Sequence, residues 1–168
     1  MSVEKLKRSF RAVVISFKLF WKTFVFQSFL AAVAIFIVLL ILRLQNTVIV
    51  ASIGASAFIV FAMPEDFTAH SKNLIGGHLI GLICGFLCSL LSFPGSLAIL
   101  SLAVYSFAVG LSVFLMVITN TKHPPAAGTA LGVAIAGFSL NVTLAIIISV
   151  VILALIHHFA KPFLKDLM

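Results

Sequence analysis

Between Phe24 and His157 the only formally charged side chains are Arg43, Glu65, Asp66, Lys72 and Lys122. Each stands at the end of an apolar run, never inside one. Runs of this kind leave a chain few options. In hydrocarbon a backbone must satisfy its own hydrogen bonds, which selects helices or closed barrels. Uninterrupted stretches approaching ~20 apolar residues suit helices that cross a bilayer. Composition agrees, with 62% hydrophobic and 9% charged residues, where a soluble domain has about a quarter charged. The expected fold is all-α, a polytopic membrane protein.

The first 23 residues read as a basic amphipathic helix at the membrane interface. Over residues 5–22, Lys7, Arg11, Lys18 and Lys22 form one stripe. Leu6, Phe10, Val13, Phe17, Phe20 and Trp21 lie opposite it. A basic stripe facing an aromatic one suits an anionic leaflet. This stretch leads directly into a span, without the small-residue cleavage site of a signal peptide. A transmembrane domain is expected over 24–159, with a short tail at 160–168.

Six helical segments are expected within that domain: 24–42, 47–63, 73–93, 97–119, 124–138 and 142–157. The second and fifth are short. Arg43, Pro64-Glu65-Asp66, Pro94-Gly95 and Ser139-Leu140-Asn141 mark breaks. With the N-terminus in the cytoplasm, six crossings put Lys72, Lys122, Lys161, Lys165 and the N-terminal basic residues inside. Only Arg43 then lies outside, as the preference of basic residues for cytoplasmic loops requires. The expected location is a bacterial inner membrane, with both termini cytoplasmic. Asn46-Thr47 stands as far before Asn120-Thr121 as Gly54 before Gly128. This faint echo is compatible with two three-helix halves in inverted orientation, a common transporter plan.

Chemistry concentrates around Asn120-Thr121-Lys122-His123-Pro124-Pro125, followed by Ala126-Ala127-Gly128-Thr129-Ala130. Pro-Pro cannot continue a helix but can open one, so a break is expected at 121–123 and a new helix from Pro124. A helix start presents free backbone donors and a positive dipole end, which favour anions. His123 stands just before that start, and Asn73 and His78 open the third segment on the same side. Gly54 and Ser56 reach a similar depth from the other face, opposite Gly128 and Thr129. The bland alternative for each is small-residue helix packing, or a histidine held by a structural hydrogen bond.

No carboxylate lies within a span, whereas cation-coupled transporters usually place one there. A neutral or anionic solute therefore fits better than a metal cation. The chain has no HExxH, no acid–base pair and no phosphate-binding glycine loop, so an enzyme is not expected. No cofactor or metal is required. The basic residues flank the membrane rather than forming a face for nucleic acid, and the lipid bilayer is the expected surrounding. Cys84 and Cys88, four apart, read as small hydrophobic packing residues.

Three motifs in register resemble the HPP family of small bacterial and plastid membrane proteins: Gly54-Ala55-Ser56-Ala57, Asn73-Leu74-Ile75-Gly76-Gly77-His78 and His123–Ala130 with its name tripeptide His123-Pro124-Pro125. The likeness covers about 45–140 and leaves out the N-terminal basic helix. It implies a multi-pass domain and, because plastid members are linked to nitrite transport, a small monovalent anion such as nitrite as solute. The expected path is lined by His123, Pro124, Pro125, Gly128, Thr129, Asn120, Gly54, Ser56, Asn73 and His78. The competing expectation is a membrane subunit or sensor that packs against a partner and transports nothing. A chain this small is expected to form a homo-oligomer to enclose a path.

Overall fold

The computed structural model describes residues 3–42, 47–91 and 97–167. Arg43, Asn46 and the Pro94-Gly95 turn lie outside the described residues. So do the side chains of Lys7 and Arg11. Among the described residues all regular structure is helical: α1 (Val3–Leu42), α2 (Thr47–Ala62), α3 (Ser71–Ser89), α4 (Ala98–Ile118), α5 (Pro125–Ala136) and α6 (Leu140–Ala160). Single 3₁₀ turns at Phe67–Ala69 and Lys161–Phe163 complete it.

Four of these helices contain stretches long and apolar enough to cross a membrane: 18–40 in α1, α3, α4 and the run from α6 to Phe163. α2 and α5 are shorter, with 16 and 12 residues. At 1.5 Å per residue α5 is about 18 Å long, well short of the ~30 Å hydrocarbon core.

The stretch expected to lie at the interface and the first span form one continuous helix. α1 runs unbroken through residues 22–24 for 40 residues, because no Gly or Pro interrupts it. The two parts differ in what they touch. Of the described side chains before Gln27, none is buried. From Gln27 onward α1 joins the core through Ala34 and Val38. The link between α5 and α6 also falls earlier than the sequence suggests. Gly137 has φ +75° and ends α5, a conformation that favours glycine. α6 therefore starts at Leu140 rather than Val142.

One end of the bundle gathers several links. The Gln27 side chain donates to the Phe61 carbonyl and, at 2.9 Å, to the Lys165 carbonyl. The Glu65 amide donates to Asp166 at 3.0 Å, and the Leu167 amide to the Ala62 carbonyl at 2.9 Å. His157 donates from Nε2 to the Pro64 carbonyl at 3.0 Å. The helices thus alternate in direction, with the 63–70 link, the 119–124 link and the C-terminal tail together. Exchanging α1 with α4, α2 with α5 and α3 with α6 maps each prominent helix pairing onto another or onto itself. That is the pattern expected of two three-helix halves of opposite orientation.

α5 sits between α2, α3 and α4, and glycines let it. Gly77, Gly81 and Gly85 form a stripe along α3, one turn apart, facing α5. A Cβ added at Gly85 would come within 2.6 Å of the Ala130 carbonyl, and one at Gly77 within 2.7 Å of His123 Cβ. On the other side Gly128 and Gly132 admit α2, where Ser52 and Ile49 lie against them. Small residues of this kind bring helix backbones close enough for polar side chains to meet across the gap. Cys84 and Cys88 are free and buried on the same face of α3.

Candidate functional site

The close approach of α2, α3 and α5 sets up a buried polar cluster. Ser52 and Ser56 are one turn apart on α2, so both point inward. His78 comes from α3, one residue after Gly77. His123 comes from the link that Pro124-Pro125 forces, and Thr129 from the second turn of α5. All five are buried, with His123, Ser56 and Thr129 fully enclosed.

Ser56 is the hub. Its Oγ lies 2.9 Å from His78 Nε2, 2.9 Å from His123 Nε2 and 3.1 Å from the Ser52 carbonyl. His78 Nδ1 lies 2.8 Å from Thr129 Oγ1, which lies 2.9 Å from Ser52 Oγ. Ser52 donates to the Pro125 carbonyl at 2.6 Å. His123 Nδ1 lies 2.8 Å from the Thr68 carbonyl. A carbonyl only accepts, so His123 Nδ1 carries a proton. The two imidazole rings stand 5.1 Å apart. Among the described residues no buried side-chain nitrogen or oxygen lacks a partner.

The Thr68 carbonyl is itself held. Asp66 caps the 3₁₀ turn at Phe67–Ala69, accepting from the Thr68 amide at 2.7 Å and its hydroxyl at 2.6 Å. These bonds to the Thr68 side chain and backbone hold the Asp66 carboxyl below its ordinary pKa. The stability they add is therefore present above the ordinary carboxylate range and fades as the pH falls through the lowered value. Asp66→Ala is expected to cost about 1 kcal/mol, as lost caps do. Thermal unfolding in detergent checks it: a lower midpoint at neutral pH, with the gap to wild type closing in acid.

Lys122, next to His123 in the chain, lines an open groove of about 410 Å³ together with Phe67, His70, Lys72, Asn73 and Asn120. Lys122 Nζ stands 6.0 Å from the Phe67 ring centre. Asn120 has φ +52°, a left-handed conformation that asparagine tolerates. Asn73 is buried, and its side-chain amide donates to the Phe67 carbonyl. The groove holds two lysines and no carboxylate among its lining residues.

The sequence-predicted residues therefore fall into three groups. Ser56, His78, His123, Thr129 and the Pro125 carbonyl meet in the buried cluster. Asn73 and Asn120 line the groove. Gly54, Pro124 and Gly128 carry none of the cluster's side chains. Gly54 is two residues from both Ser52 and Ser56, hence on the other face of α2, and has nothing within 4 Å of an added Cβ. Gly128 supports the cluster by letting Ser52 approach, 3.3 Å from an added Cβ. The start of α5 offers few free donors. Pro124 and Pro125 have none, and the Ala126 and Ala127 amides donate to the His123 and Pro124 carbonyls.

Two participants in the cluster lie outside the sequence-predicted residues. Ser52 was signalled by its four-residue spacing from Ser56, which puts both on one helix face. The Thr68 carbonyl had no sequence signal, because a backbone group takes part through fold alone.

Comparison with known proteins agrees with this architecture. A family profile described as HPP, transmembrane region, matches residues 16–163. A transmembrane protein of Dictyostelium discoideum is 36% identical over 88 residues, covering 52% of this chain and 30% of that protein. The chain thus spans under a third of the length of the curated relative it matches. No solved structure matches it.

Proposed function

The chain belongs to the HPP transmembrane family, and we propose that it passes a small inorganic anion, nitrite first, between the basic groove and the buried histidine–hydroxyl cluster. The carrying observation is the pairing of the two sites. A groove bearing Lys72 and Lys122 adjoins, through Lys122–His123 and Phe67–Thr68, a cluster whose polar side chains are all neutral or cationic. Glu65, Asp66 and Asp166, the carboxylates with described side chains, lie in links and tail. An anion therefore meets attraction at the groove and no fixed negative charge in the core, where a buried cation would need one. A planar triatomic anion matches donors of the Ser, Thr and His type, which bind oxygen without needing a metal.

In this reading the protein is a transporter rather than an enzyme. It sits in a bacterial inner membrane with the groove toward the cytoplasm, and works as a homo-oligomer. The cluster is closed in this conformation, since His78 and His123 are 1% and 0% exposed. Passage requires the close contacts of α2 and α3 with α5 to open around the cluster.

The groove supplies the direct test. Lys72→Gln with Lys122→Gln removes two exposed charges from the groove, so the fold should persist. The nitrite concentration for half-maximal uptake into proteoliposomes is expected to rise roughly three- to tenfold, with a weaker dependence on ionic strength. Unchanged uptake and salt dependence would take the groove out of the path.

A second reading, a membrane subunit with no transport of its own, is favoured by the first half of α1. Its described side chains are unburied, and Ile15, Leu19, Phe20 and Trp21 are exposed. Co-purification with a second chain that is lost on truncating this half, with no flux at any stage, would support that reading.

A further inference from the structure

The buried cluster has more contacts than protons. Seven contacts join it: His123 to Thr68, both histidines to Ser56, Ser56 to the Ser52 carbonyl, His78 to Thr129, Thr129 to Ser52, and Ser52 to Pro125. Each needs one hydrogen. With both imidazoles neutral the available hydrogens number five, one from each of Ser52, Ser56, His78, His123 and Thr129. However they are arranged, two contacts are left without one.

Each histidine can supply one of the missing hydrogens. In the neutral state a continuous run of donors is available: Thr129 to His78, His78 to Ser56, Ser56 to His123, His123 to the Thr68 carbonyl. Protonating His123 at Nε2 reverses its bond to Ser56, and the freed Ser56 hydroxyl turns to the Ser52 carbonyl. Protonating His78 at Nδ1 reverses its bond to Thr129, whose hydroxyl then turns to Ser52. A proton that arrives is thus used at once, and the five groups form a relay along which it can move. With rings 5.1 Å apart, two positive charges would repel, so one proton at a time is the stable load.

The neighbouring groups leave that charge unbalanced. α2 and α5 face the histidines with hydroxyls only. α3 adds Cys84 and Cys88 farther along and exposed Lys72 at its start. α4 carries Tyr105 and is followed by Lys122. α6 brings His157, held by the Pro64 carbonyl, with His158 and Lys161 beyond it. The 63–70 link brings His70 and Asp66, the latter engaged with Thr68. Nothing among the described residues places a carboxylate against either imidazole.

We propose that the histidine relay makes the transport proton-coupled, with one proton taken up for each monovalent anion admitted. This deepens the anion reading and rests on it. The step balances. An O–H bond of hydronium breaks, an imidazole N–H bond forms, and the anion's charge cancels the imidazolium's. Release on the far side reverses both.

The test uses wild-type protein in liposomes holding a trapped pH dye, with anion uptake measured separately. Nitrous acid can leak through bare lipid, so empty vesicles set the baseline and nitrate, the anion of a strong acid, is run beside nitrite. The expected result is uptake of an anion with lumen acidification at one proton per anion, unaffected by a clamped membrane potential. Ser56→Ala, which breaks the relay between two retained histidines, is expected to lose the acidification. Uptake that is driven by an inside-positive potential and moves no proton would overturn the coupling while leaving the anion reading intact. No uptake of either anion above empty vesicles would remove the anion reading, and the coupling with it.

Discussion

Gly81→Val is expected to destabilise the fold strongly. A Cβ at this position would overlap the Ala126 carbonyl and press on Thr129 Cβ at 3.3 Å. The first is backbone and cannot swing aside, so α3 and α5 must separate. Overpacking of this kind typically costs about 1–3 kcal/mol. Separation also stretches the His78–Thr129 contact, which links the same two helices. Losing it adds roughly 1 kcal/mol or more. Against a total stability of about 5–15 kcal/mol, the sum is a large fraction. Gel filtration and thermal unfolding in detergent read it, with Gly110→Val as control. Gly110 is exposed and has nothing within 4 Å of an added Cβ, so that variant should behave as wild type. Equal stability of the two variants would mean that the α3–α5 contact is not what holds the bundle.

His123→Ala is expected to damage stability and transport together. The imidazole joins three pieces of chain: the Thr68 carbonyl in the 63–70 link, Ser56 on α2 and the start of α5. Removing it strands the Thr68 carbonyl and leaves Ser56 with one histidine. A buried polar group without a partner costs about 1–3 kcal/mol, and the partly buried Thr68 carbonyl falls toward the lower end. The cavity left behind adds to this. His123→Gln keeps an amide donor within reach of the Thr68 carbonyl. It should recover part of the stability but not the transport, because an amide cannot take up and pass on a proton. That split separates a structural histidine from a working one.

How far these features could be read in advance depended on range. The six helices follow from apolar runs, and the break before α5 from Pro124-Pro125, because both are properties of neighbouring residues. Gly137 as the end of α5 was within reach, since glycine commonly closes helices. The unbroken α1 was also open to reading, because nothing between Lys22 and Phe24 stops a helix. The meeting of His78 with His123 was not. They belong to different elements, and only the glycine stripe on α3 brings them to one hydroxyl. Gly54 shows the cost of reading a motif as a block. Its neighbours in Gly54-Ala55-Ser56 share its sequence but not its face, and Ser52, one turn away, takes the place in the cluster. The donors expected at the start of α5 are spent on the carbonyls of His123 and Pro124, so the cluster rests on side chains instead.

The most direct test of the central claim is nitrite uptake into proteoliposomes by wild type, compared with Ser56→Ala and empty vesicles. Ser56→Ala removes one hydroxyl from the centre of the cluster and leaves both histidines and the groove. Uptake above empty vesicles is expected for wild type, and its loss in folded Ser56→Ala protein. Uptake by the variant equal to wild type would show that the anion does not use the cluster. No uptake by folded wild type would contradict transport itself.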